Sequence, residues 1–223
     1  MNGEPQEPRR VSPWWMLPPA VVFTANFIAA NVATTTDQSN GVYKASYIGA
    51  AAITALVIGG YALFAAWVST RSIRPVLAIR RVDPVRAAQL AAAAFAVILV
   101  SSLALEPLLH GDEAQGIAPD RGPHDGSEWL LLVVAVAVLV VLVPICEELL
   151  FRGLGFAALG SHALGLTAGL FAIAHGTIRV LPVVAIAGLA LGEVRRRSDS
   201  VFPGMAAHAA VNLTALVIAL ATS

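Results

Sequence analysis

Three short residue groups in the second half of the chain carry side chains able to do chemistry in apolar surroundings. They are Glu147, Glu148 and Arg152; Phe171 and His175; and His208 and Asn212. The first group follows Trp129–Val143, a run without a charge. An ionised side chain at membrane depth costs about 2.5–3.5 kcal/mol on insertion scales, so this cluster marks a buried site. On a helix Glu148 and Arg152 stand at i and i+4 and can pair. Glu147 is turned away by about 100° and lacks an obvious partner. This division leaves one structural carboxylate and one reactive one. Burial strengthens a carboxylate as a base, so Glu147 could take a proton from water as that water attacks a carbonyl. His175 could orient the same water or share its proton. His208 and Asn212 can donate hydrogen bonds to a developing oxyanion. Spacing places no serine or cysteine beside a base, so direct attack by water is the simpler chemistry. Each residue also has a plainer role: intramembrane histidines and asparagines bridge helices, and Glu148–Arg152 can be a buried ion pair without chemistry. Matched depth is what turns these separate residues into a candidate site.

The elements that must hold them are membrane helices. Of the 223 residues 57% are hydrophobic and 13% charged, and the mean hydropathy is +0.76. The class is an all-α polytopic membrane protein with about seven spans. The 14 Lys+Arg balance 14 Asp+Glu, which argues for no acidic partner, and no basic face supports nucleic-acid binding. Lys44 is the one lysine, and with the abundant alanine this points to a high-GC bacterial source. The single cysteine, Cys146, excludes an intramolecular disulfide and reads as inert packing. Pro18-Pro19 interrupts the first apolar run, which argues against a cleavable signal peptide.

Residues 1–13 read as a polar tail, with Trp14 and Trp15 as an interfacial anchor. Spans are expected near 16–35, 47–69 and 87–105, the third closing at Glu106-Pro107. An arginine-rich segment, 70–86, separates the second and third as a short interfacial helix or basic loop. A loop from Leu108 to Glu128 holds His110 and His124 among acids; it reads as a solvated connector, since the spacing fits no metal-ligand pattern. The fourth span, 129–159, exceeds the bilayer core and should project past it. Gly160-Ser161 makes a turn, with Ser161 able to cap the next helix. Spans near 162–178, 180–194 and 200–221 follow. With the N-terminus inside, eleven cations fall on inner segments and three (Lys44, Arg121 and Arg179) on outer ones. Arg179 sits between two short spans and could instead line a cavity. Gly188-x-x-x-Gly192 could allow close helix contact; oligomeric state is not readable.

Glu147 lies 13 residues before Gly160 and His175 lies 14 after Ser161. In an antiparallel pair each is about 20 Å from the turn, and His208 lies about 12 Å into the last span. A hairpin projecting about 10 Å would bring all three level. Phe171 shares a face with His175, and His208 with Asn212.

Glu147-Glu148-x-x-x-Arg152, Phe171-x-x-x-His175 and His208-x-x-x-Asn212 together resemble the three-motif signature of the CPBP family. This is the CAAX-protease and bacteriocin-processing (ABI) group, which includes the type II CAAX prenyl endopeptidases. Each motif is weak alone; three in order on successive hydrophobic helices are specific. The resemblance covers about 129–215, so the chain divides into 1–128, a tail with three variable spans, and 129–223, a catalytic membrane core. The first part reads as a peripheral substrate-binding or assembly layer. The resemblance implies an intramembrane endopeptidase of the cell membrane, with its site open toward the cytoplasm. It implies that Glu147 and His175 activate water, that His208 and Asn212 form the oxyanion hole, and that Glu148, Arg152 and Phe171 support the site. The implied mechanism needs no cofactor or metal, although Glu147, His175 and His208 would also suit zinc. The expected partners are the bilayer and a peptide or membrane-anchored, lipidated protein substrate; bacterial relatives are linked to pheromone or bacteriocin maturation, self-immunity and processing of membrane-anchored termini. Two other classes compete. A non-catalytic immunity or scaffold protein would carry the same motifs, although the complete set favours catalysis. A small transporter should show inverted repeats, and none is seen between 14–107 and 129–221.

Overall fold

A computed structural model of the chain describes residues 11–32, 41–109 and 123–221. Among the described residues seven helices of 12 residues or more follow one another: α1 (Leu17–Val32), α2 (Ala45–Thr70), α3 (Pro84–Leu109), α4 (126–159), α5 (Ala163–Ala174), α6 (Leu181–Ser198) and α7 (Phe202–Ala221). No strand occurs among the described residues. Large apolar side chains such as Val21, Ile53, Val100, Leu130 and Val217 point outward, as a bilayer requires. Among the described residues five stretches are long and apolar enough to cross a membrane: Pro13–Val32, Ala45–Thr70, Pro84–Leu105, Gly126–Ala174 and Phe202–Ala221. The chain is thus an all-α, multi-pass membrane protein. The helix order matches the expected spans, but α5 has only 12 residues, about 18 Å at the helical rise, too short to cross unaided. The last turn of α6 carries Arg195, Arg196 and Arg197.

Several boundaries differ from the sequence reading. α3 continues past Glu106-Pro107 to Leu109. Ser161 does not cap α5: the N-cap position is His162, which makes no side-chain cap bond, and Gly160–His162 form one 3-10 turn. α5 stops at Ala174, so His175 lies at its C-cap rather than inside a helix. Gly176 forces the stop, because its φ of +81° is left-handed and open mainly to glycine. Arg179 is exposed rather than lining a cavity. His110 and most of the acidic loop lie outside the described residues.

Lipid offers helices no hydrophobic reason to associate, so close packing and polar contacts hold them together. α5 and α6 show this directly. A Cβ on Gly188 would lie 2.8 Å from Ala168 Cα, and one on Gly192 would lie 2.7 Å from Leu164 Cδ1. The small-residue stripe is therefore consumed within the chain. α1 joins through Phe23, whose ring stacks on Phe151 of α4 at 5.9 Å. α2 adds Ala62, Ala65 and Ala66 to the same buried cluster as Phe151 and Phe171.

The arginine-rich segment between α2 and α3 forms one helical turn, Ile73–Val76. It then clasps the α6–α7 corner. Val201 N–H donates to Ala78 O, Ser200 Oγ donates to Arg80 O, and Arg80 pairs with Asp199. Arg86 Nη2 donates to Arg197 O at 2.7 Å. These bonds fix where α7 starts and so the depth of His208.

Candidate active site

The first motif lies on a helix whose winding changes twice. α4 is π-helical over Val136–Leu142, α-helical over Val143–Glu148 and π-helical again over Leu149–Leu154. Pro144 accounts for the first change, because it has no N–H to give the preceding turn. Val143 N–H reaches back five residues to Val138 O. Leu139 O then has no donor in its own helix: Val143 is committed, and Pro144 has nothing to donate. Asn212 supplies the donor, its Nδ2 bonding to Leu139 O at 2.8 Å. Single π turns of this kind are frequent at functional sites.

Between the two π segments stand the glutamates. Glu148 and Arg152 are both fully buried and pair at 2.7 Å through Glu148 Oε1 and Arg152 Nη1. Arg152 Nη2 donates to Gly188 O at 3.0 Å, and the guanidinium lies 4.4 Å over the Phe171 ring. These contacts offset part of the desolvation of the pair, while Glu148 Oε2 and Arg152 Nε stay buried without a hydrogen-bond partner among the described residues. Glu148 Oε1 also lies 3.4 Å from His208 Nδ1. Gly204 leaves room for this carboxylate, since a Cβ there would sit 2.7 Å from Glu148 Oε2.

Glu147 points elsewhere, as expected, and its side chain keeps 14% exposure, with Oε2 3.8 Å from His208 Nε2. That separation exceeds a hydrogen bond, and Oε2 bonds to no other described residue. A water oxygen can reach both atoms at once. His208 thus faces one glutamate with each ring nitrogen.

Phe171 is the hub. Its ring centroid lies 4.6 Å from that of His175 and 5.6 Å from that of His208, and its edge meets Phe151 at 5.2 Å. His175 Nδ1 donates to Phe171 O at 2.8 Å. A carbonyl oxygen only accepts, so Nδ1 carries the proton and Nε2 is left as the basic nitrogen. No hydrogen bond or ion pair joins His175 to Glu147 among the described residues.

Contacts join six of the seven residues singled out from the sequence, Glu147, Glu148, Arg152, Phe171, His175 and His208, and Asn212 stands one helical turn beyond His208 on α7. Asn212 braces α7 against α4, one N–H of its amide going to Leu139 O. Sequence reasoning passed over Gly204, Gly188 O and Leu139 O. Gly204 stands four residues before His208 on the same face of α7, which was a signal. Pro144 beside an apolar run signalled a stranded carbonyl, but not which residue would serve it. No three His, Cys, Asp or Glu side chains among the described residues are arranged to hold a metal ion. Residues 129–214 match a protein-family model described as type II CAAX prenyl endopeptidase Rce1-like. No curated protein and no solved structure matches the chain.

Proposed function

We propose that the protein is a glutamate-dependent intramembrane endopeptidase, because residues 129–214 match the type II CAAX prenyl endopeptidase Rce1-like family model. Its substrate is a membrane-associated peptide or lipidated protein, cut near the cytoplasmic face. The observation that carries this reading is His208, which lies 3.8 Å from the partly accessible Glu147 and shares the Phe171 ring with His175. Water attacks the scissile carbonyl carbon while its proton passes to Glu147. The new C–O bond forms as the carbonyl π pair moves to oxygen. His208 and the uncommitted N–H of Asn212 donate to that oxyanion. The oxyanion collapses, the C–N bond breaks, and the leaving nitrogen takes the proton back from the Glu147–His175 side. His175 Nε2 orients the water, and Glu148 with Arg152 holds His208 in register.

The test is cleavage in reconstituted vesicles, using fluorogenic peptides with and without a lipid anchor. Cleavage that survives a metal chelator is expected. Chelator-sensitive cleavage would overturn the metal-free mechanism, and a folded parent that cleaves no peptide in either form would count against the protease reading.

The two duties of Asn212 separate experimentally. Asn212→Ala strands Leu139 O and is expected to lower stability by about 1–3 kcal/mol and cleavage by about 10²–10³-fold. Adding Pro144→Ala returns an N–H to that carbonyl. Unfolding in detergent should then show recovered stability while the cleavage rate stays low, because the oxyanion donor is still absent. Recovery of both would reduce Asn212 to a strut.

A further inference from the structure

Asn31 stands one residue from the end of α1, outside the segment that matches the family. Its side chain makes three hydrogen bonds. Nδ2 donates to Phe27 O at 2.8 Å within α1 and to Gly176 O at 2.8 Å. Oδ1 accepts from Ile178 N–H at 3.1 Å. Both N–H groups and the carbonyl are thus used, and the acceptor role toward Ile178 fixes which way the amide faces. Two of the bonds grip the backbone immediately after His175.

That backbone needs a grip. α5 ends at Ala174, and Gly176 turns the chain with its left-handed φ. Thr177 N–H bonds only locally, to His175 O. His175 therefore hangs between the last turn of a short helix and a turn that Asn31 clamps from another helix. Its ring direction depends on where that backbone lies, because Nδ1 must stay within reach of Phe171 O. An error of about 1 Å in a catalytic group can cost about 10²-fold in rate.

We propose that Asn31 is a positioning residue for His175: the amide at the end of α1 fixes the Gly176–Ile178 backbone and so aims the basic Nε2 into the site. This rests on the protease reading of the site and gives the first helix a catalytic duty that no motif marks. Asn31 touches no reacting atom.

The experiment uses the full chain with Asn31→Leu, which removes every hydrogen bond. Asn31→Asp is measured alongside; it keeps the size and the acceptor but, ionised, cannot donate to Gly176 O. The same criteria decide both, so one variant that fails to fold leaves the test intact. In the cleavage assay kcat should fall about 10–100-fold with KM within about twofold. In nitrogen NMR of labelled histidine, parent His175 should show the Nδ1-protonated tautomer and the variants a mixture. Parent-like kcat, a change in KM alone, or unchanged His175 signals would each overturn the proposal. The imidazole signal needs no substrate, so a parent that cleaves nothing defeats the protease reading while the positioning of His175 is still judged.

Discussion

Glu147→Gln is expected to lower kcat by about 10²–10⁴-fold, the usual contribution of a positioned general base. The substitution keeps shape and hydrogen-bonding capacity but removes the proton acceptor. Stability should barely move, because Glu147 is the glutamate without a committed partner: Oε2 bonds to no described residue, and the side chain keeps contact with the outside. The measurement pairs a vesicle cleavage assay with unfolding in detergent. A loss of rate at unchanged unfolding midpoint assigns Glu147 to chemistry. Retained cleavage would remove Glu147 from the mechanism and, with it, the glutamate-dependent assignment.

Arg152→Met is expected to do the opposite first: a loss of about 3–5 kcal/mol in stability, because it strands a fully buried Glu148 carboxylate. Gly188 O would lose its donor as well, and Phe171 the cation against its face. Adding Glu148→Gln removes the stranded charge and should recover most of the stability, since a buried pair costs little to replace as a unit. Rate should not follow. Glu148 Oε1 lies 3.4 Å from His208 Nδ1, so the double variant frees the ring that faces Glu147. Denaturant unfolding of the two variants and the parent tests this. A double variant no more stable than Arg152→Met would show that the pair stabilises by attraction, not by avoiding an orphaned charge.

The two glutamates thus separate by environment, although they are neighbours in sequence. That separation was legible beforehand, because an i, i+4 pair on a helix leaves the adjacent residue on another face. Membrane class and helix order were equally legible. Long apolar runs have one stable form in lipid, and charges inside them are too expensive to be incidental. The grip of Asn212 on Leu139 was not legible. It needs Pro144 to rewind α4 and α7 to lie alongside, and a one-dimensional pattern records neither. The end of α5 at Ala174 was missed for a related reason. A helical period runs on through apolar sequence, whereas Gly176 and the clamp from Asn31 stop it in space. What the sequence by itself determined was which residues must be buried and which helices carry them, because those follow from the cost of charge and the period of the helix. Only the tertiary structure decided which nitrogen of His208 faces which glutamate, and that α1 holds the turn after His175, because such contacts lie between elements whose relative placement no local rule specifies.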